Sequence, residues 1–136
     1  MKTLGRHLIA EFYGCIDVSL DDVAKLRSHM LAAAEVVGAT PVGDVFHRYA
    51  PHGVSGTVLI AESHLSVHTW PEARYVAVDI FTCGGLDPRP GFRFLAERLG
   101  ATDSRMHEIV RGLAEDVRGA LLPEDVTIIA TEPEAP

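Results

Sequence analysis

Residues 61–72 read AESHLSVHTWPE and place two serines, two histidines, two glutamates and the chain's single tryptophan within twelve positions. Read as a strand, residues 64–70 alternate. His64, Ser66, His68 and Trp70 share one face, while Leu65, Val67 and Thr69 share the other. In the next segment the same rule groups Tyr75, Ala77, Asp79, Phe81 and Cys83. If these two strands pair, His68 and Cys83 face one cleft near Ser63. A hydroxyl, an imidazole and a thiol within mutual reach are the parts for covalent and proton-transfer catalysis.

Each residue also has a plainer reading. A histidine on a strand usually makes structural hydrogen bonds, a buried cysteine packs as a small hydrophobe, and a tryptophan fills a core or an interface. His64, His68 and Glu72 fall at four-residue steps, the spacing of metal ligands along a helix. Pro71 and the β-branched neighbours make that helix poor, so no metal site is expected. A serine hydrolase needs glycines around its nucleophile for a sharp turn, and ESH supplies none. Spacing alone does not choose among these readings.

The elements around the stretch set the fold expectation. Residues 7–14 alternate as a first strand. Ser19, with Asp22 three residues on, reads as the opening of a helix. Val23, Leu26, Met30, Ala33 and Val37 continue it at helical spacing, and Gly38 closes it. From residue 40 to 83, VFHRYA, GTVLIA, HLSVHTW and RYVAVDIFT are strand-like segments separated by Pro and Gly. Pro88 and Pro90 lead into a second helix over residues 92–99, ended by Gly100. RMHEIVRGLAEDVRGALL is ambiguous between strand and helix, VTIIAT reads as a last short strand, and the tail TEPEAP as a frayed end. The pattern predicts an α+β fold, a two-layer sandwich with helices on one face of an antiparallel sheet. Its bare face calls for cover, so a homodimer forming a larger sandwich is expected.

With 136 residues, 47% hydrophobic and 23% charged, the chain has the size and balance of one globular domain. Twelve basic against nineteen acidic residues leave a formal charge of −7. That argues against nucleic acid or an anionic membrane as partner and is compatible with a small cationic substrate. Cys15 and Cys83 stand far apart and outside any CxxC motif, which favours reduced thiols and a cytoplasmic setting. No apolar run approaches the roughly 20 residues of a membrane span, and the N-terminus reads as a strand, not a signal peptide.

The stretch ESHLSVHTWPE resembles the processing site of the prokaryotic pyruvoyl-dependent S-adenosylmethionine decarboxylase proenzymes. LGRHLIAEFYGC, FHRYAPHGVSG and DIFTCG followed by DP resemble the family in the same order, so the likeness runs from about residue 2 to 99. It implies that Ser63 attacks the carbonyl of Glu62 and that the resulting ester eliminates. The chain is then left as residues 1–62 and residues 63–136, the latter starting with a pyruvoyl group. In the family pattern His68 is the proton acceptor in processing, and Ser55 assists by hydrogen bonding. The pyruvoyl group from Ser63 forms a Schiff base with substrate, without metal or pyridoxal phosphate, and takes up the electrons left by carbon dioxide. Cys83 matches the proton donor in decarboxylation; an ordinary thiol, with pKa ~8.5, carries its proton at neutral pH. Tyr49 and Trp70 match the rings that stack on adenine, and Glu72 the carboxylate on the ribose.

The resemblance further implies a homodimer of processed chains with shared active sites, Tyr49 and Ser55 coming from the neighbouring subunit. The product would supply the aminopropyl donor for polyamine (spermidine) synthesis. One position departs from the pattern: Tyr49 stands where a phenylalanine is expected, which keeps the ring but adds a hydroxyl needing a polar partner. Pyruvoyl-dependent arginine or ornithine decarboxylases share the machinery without the adenine slot and form the alternative reading. A non-processing regulatory relative is a third, against which Ser63, His68 and Cys83 are all present.

Overall fold

Six alternating segments form one sheet in the computed structural model, which describes residues 3–83 and 85–113. The strands are β1 (Thr3–Tyr13), β2 (Pro41–Arg48), β3 (Val54–Ile60), β4 (Ser63–Trp70), β5 (Tyr75–Cys83) and β6 (Asp103–Leu113). They lie in the order β2-β3-β4-β5-β1-β6, with every neighbouring pair antiparallel. Helices α1 (Val23–Val37) and α2 (Arg89–Arg98) pack against one side. This is the α+β sandwich that the sequence predicts.

Strand parity decides what is buried. Along β4, Leu65, Val67 and Thr69 point into the helix layer, and along β5 Val76, Val78, Ile80 and Thr82 do the same. Leu8, Ala10 and Phe12 of β1 join them beneath Leu26, Met30 and Ala33 of α1 and Leu95 of α2. Removing each large aliphatic side chain of this set from water is worth about 1.5–3 kcal/mol. The other face keeps the odd residues of β1 and β5 and the even residues of β4. It carries His64, Ser66, His68 and Trp70 together, as the alternation predicts.

The helix boundaries differ in part from the sequence expectation. Ser19 does not open the helix; it sits in a 3-10 turn over Val18–Asp21 whose cap is Asp17, the Ser19 amide donating to Asp17 Oδ1 at 2.6 Å. The capping residue of α1 is Asp22, which accepts from the Lys25 amide at 3.1 Å. Asp17 and Asp22 are both good capping residues, and the chain uses each, one for the 3-10 turn and one for α1. Gly38 closes α1 with φ +90, a left-handed conformation that costs glycine little. Helix α2 starts three residues earlier than expected, at Arg89, with Pro90 in its first turn. The ambiguous segment begins as β6; its continuation past residue 113, the predicted VTIIAT strand and the tail lie outside the described residues.

Two polar devices stitch the layers together. Glu108, 2% exposed on β6, receives charge-assisted hydrogen bonds from Arg6 at 2.7 Å and Arg89 at 2.8 Å, tying β1, β6 and the start of α2. The Thr69 hydroxyl, buried in β4, donates to Leu20 O at 2.7 Å and accepts from the Val54 amide at 2.9 Å. It joins the 3-10 turn, β3 and β4 at one atom. Thr69→Val keeps the volume and leaves both backbone groups buried without that partner, so it should cost about 1–3 kcal/mol. Denaturant unfolding should show a lower midpoint with an unchanged slope. An unmoved midpoint would mean that water replaces the hydroxyl at no cost.

Candidate active site

The antiparallel register of the central strands divides the sequence-predicted residues into two groups. Ser55 of β3 stands opposite His68 of β4, whereas Ser63, at the other end of β4, stands opposite Thr82 and beside Cys83 of β5. Five residues separate Ser63 from His68, roughly 16 Å of strand. His68 and Cys83 therefore do not face one cleft within a chain, contrary to the sequence expectation. The connection over residues 71–74 is short and forces β5 to run back along β4, so Tyr75 meets Trp70 and Cys83 returns to Ser63.

The first group lines one cleft of about 340 Å³, bounded by Tyr49, His52, Gly53, Ser55, His68, Thr69, Trp70 and Glu72. Ser55 Oγ and His68 Nδ1 are 2.7 Å apart across the β3–β4 pair, a hydrogen bond that fixes the imidazole plane. Trp70 stacks on Tyr75 with ring centroids 5.2 Å apart and remains 44% exposed on the cleft side. Glu72 sits in the 3-10 turn Pro71–Ala73 and pairs with His52 Nε2 at 3.2 Å. The Tyr49 ring meets His47 edge-on, centroids 4.6 Å apart. Two exposed rings, a carboxylate and a serine–histidine pair can hold a flat heteroaromatic group with hydroxyls attached and move a proton beside it.

The loop that carries Tyr49 and His52 is pinned by Asp21. Asp21 Oδ1 accepts from the Gly53 amide at 2.7 Å, Oδ2 pairs with Arg48, and the Tyr49 amide donates to Gly53 O at 2.7 Å. Gly53 lies at φ +106, where a side chain would strain the turn. The Gly53 amide, with the Arg48 guanidinium second, holds the Asp21 carboxyl below the usual range.

The second group lies at the tip of the β3–β4 hairpin. Ala61 and Glu62 are exposed and form its two-residue turn, and Ser63 follows at φ +98. For a residue with a side chain that conformation costs about 1–3 kcal/mol and is held by the pairing on either side. Cys83 is half-buried and free. Cys15 differs: burial, then the nearby Asp17 charge, push its thiol up to about 11, so it packs as an inert core residue.

Sequence reasoning passed over Asp21, His47, His52 and His7, and it placed His64 and Asp79 on their strands without pairing them; His7, His64 and Asp79 meet on the open face. Their bonds join residues 15 to 72 positions apart, except His47, which is two residues from Tyr49 and could have been found as its strand neighbour. His7 Nε2 and His64 Nε2 both bond Asp79 Oδ2, at 2.6 and 3.0 Å. Burial would raise the Asp79 carboxyl, but the two imidazole hydrogen bonds outweigh it and hold the group below the ordinary range.

Comparison with known proteins finds relatives over most of the chain. A family model described as S-adenosylmethionine decarboxylase matches residues 6–112. The S-adenosylmethionine decarboxylase proenzyme of Fervidobacterium nodosum is 46% identical over 135 residues, covering 98% of this chain and 96% of the relative. That of Thermosipho africanus is 50% identical over 118 residues, 86% of this chain and 91% of its own length. The crystal structure of the adenosylmethionine decarboxylase from Aquifex aeolicus superposes with a TM-score of 0.78 at 32% identity, covering 85% of this chain and 97% of that one. No helix among the described residues is long and apolar enough to cross a membrane.

The depressed Asp21 carboxyl gives the loop anchor a pH dependence. A carboxyl held lower in the folded than in the unfolded chain stabilises above its unfolded pKa of ~3.9, and that contribution disappears as pH falls through the folded value. The melting temperature should fall below about pH 4, and Asp21→Asn should flatten part of that fall. Parallel curves for the two proteins would remove Asp21 as an anchor.

Proposed function

Since the chain belongs to the S-adenosylmethionine decarboxylase family, we propose that it cleaves itself between Glu62 and Ser63 and then decarboxylates S-adenosylmethionine. The observation that carries the substrate reading is the cleft of Tyr49, Trp70 and Glu72, which offers rings and a carboxylate to an adenosine, a slot that a decarboxylase of arginine or ornithine does not need. The −7 charge suits a sulfonium substrate. The product is an aminopropyl donor for spermidine synthesis, and two free cysteines suit a reduced cytoplasmic setting.

Maturation begins with Ser63 Oγ attacking the Glu62 carbonyl, turning the amide into an ester. His68 then removes the Ser63 α-proton, and the Glu62 carboxylate leaves by β-elimination. The dehydroalanine so formed loses its nitrogen as ammonia on hydrolysis, giving a pyruvoyl terminus on residues 63–136. The residues fit that group: a hydroxyl donor at an exposed, strained hairpin tip, with a thiol one strand away. When formed, its ketone supplies an electron sink for decarboxylation. Cys83, beside it, delivers the proton that replaces carbon dioxide. Ser55 orients His68, and Tyr49, Trp70 and Glu72 bind the nucleoside end.

The two groups of residues lie at opposite ends of β4, so we infer that a second copy completes each site. The open sheet face presents Ile9, Val45 and Leu59 at 39%, 69% and 53% exposure, apolar surface suited to burial against the same face of a partner. A two-fold axis through that face and perpendicular to the strands would set the Ser63–Cys83 end of one chain against the His68 cleft of the other.

Intact mass of purified protein should show two pieces, residues 1–62 and 63–136, and Ser63→Ala should remain one chain. Cys83→Ala should still be cut but lose about 10²-fold or more in turnover, the worth of a placed general acid. Carbon dioxide release should follow S-adenosylmethionine and not arginine or ornithine. Release from either amino acid instead would transfer the chain to the alternative chemistry.

A further inference from the structure

Two different connections wall the cleft that takes the nucleoside end, and one side-chain contact joins them. His52 stands on the β2–β3 loop and Glu72 on the 3-10 turn after β4, and His52 Nε2 lies 3.2 Å from Glu72 Oε2. Resting on the nucleoside reading of that cleft, we propose that His52 is the positioning residue for the Glu72 carboxylate and so determines how tightly a ribose is held.

Both ends of the contact are braced by backbone. The loop is fixed by the Gly53 amide donating to Asp21 Oδ1 and by the Tyr49 amide donating to Gly53 O, each at 2.7 Å. Arg48 Nη2 also donates to Pro51 O at 3.4 Å. The turn is fixed by the Arg74 amide on Pro71 O at 3.1 Å, while Arg74 O accepts from the Cys15 amide at 2.9 Å. His52 therefore meets Glu72 from a held position, with no ligand needed to bring the two together.

The Glu72 side chain is 54% exposed, and a long carboxylate that exposed would sample many rotamers if it stood alone. Ordering such a side chain on binding costs a factor of about 2 to 10 in affinity. The imidazole restricts it in advance. It occupies Oε2, whereas Oε1 has no partner among the described residues and is left to accept from ribose hydroxyls. The His52 side chain is itself 38% exposed, so the contact adds little to folding. Its effect belongs to binding and not to stability.

The base is held by other groups. Trp70 is backed by Tyr75, centroids 5.2 Å apart, and the Tyr75 hydroxyl donates to Glu11 Oε1 at 2.5 Å. That ring platform does not involve His52. Loss of the imidazole should therefore be felt by a ligand with a ribose and not by a bare base.

Trp70 is the chain's single tryptophan, so its fluorescence reports occupancy of the cleft directly. In the purified wild-type protein adenosine should quench it, and adenine should quench it with weaker affinity. His52→Ala should weaken adenosine about 2- to 10-fold, leave adenine unmoved and shift the melting temperature little. His52→Gln, whose amide can still donate to the carboxylate, should recover part of the loss. Glu72→Ala should weaken adenosine further, and adding His52→Ala to it should change nothing more, since the imidazole then has no group to position. In turnover, His52→Ala should raise KM for S-adenosylmethionine with kcat held. Equal adenosine affinity with and without His52, or additive losses in the double variant, would overturn the assignment. So would a matching loss for adenine, which would mean that the whole loop had moved. A wild-type Trp70 that responds to neither adenosine nor adenine would instead refute the nucleoside cleft itself, so the two failures are distinguishable.

Discussion

The antiparallel pairing of β4 with β3 on one side and β5 on the other is the constraint on which the rest of the structure depends. It sets Ser55 against His68 and Ser63 against Thr82, and the candidate residues carried on these strands inherit their end of the sheet from those two registers. A slip of one residue would turn His64, His68 and Trp70 into the helix layer and bring Leu65 and Val67 to solvent. The buried alternation of Leu65, Val67 and Thr69 against Val76, Val78 and Ile80 forbids that slip, because several large apolar side chains would be lost from the core at once. Core packing and site geometry are thus enforced by the same residues.

Two carboxylates divide the work of positioning. Asp21 is half-buried, and its pair with the exposed Arg48 adds little stability by itself. Its importance is geometric, because one side chain anchors the turn that presents Tyr49 and His52. Asp79 is more enclosed and holds two imidazoles and a serine hydroxyl at the Ser63 end. Each end of the central strands therefore has its own electrostatic anchor.

Much of this was legible in the residues. The alternation of residues 64–70 and 75–83 identified both the strands and the side of the sheet left open, because period two survives wherever one side is buried. Five of the predicted residues, Tyr49, Ser55, His68, Trp70 and Glu72, line one cleft. Periodicity assigns a face but not an end, however, so His68 and Cys83 were placed together when they lie apart. The signal that separates them was present in the short connection after Trp70, which allows only an antiparallel return. The start of α1 was misread because Ser19, Asp21 and Asp22 all favour caps, and only tertiary contact selects among them. Asp21, His52 and the His7–Asp79–His64 cluster had no local pattern, since their partners are brought close by folding alone.

The claim that each site is completed by a second copy is tested most directly by mixing two inactive chains. Ser63→Ala lacks the nucleophile, and His68→Ala lacks the imidazole of the opposite half-site. When they are co-expressed with distinguishable tags, the His68→Ala chain should be cut between residues 62 and 63, and the Ser63→Ala chain should stay whole. Each variant alone should remain uncut. If mixed dimers form and neither chain is cut, or if His68→Ala cleaves itself at the wild-type rate, the two halves do not meet across an interface and the account is wrong.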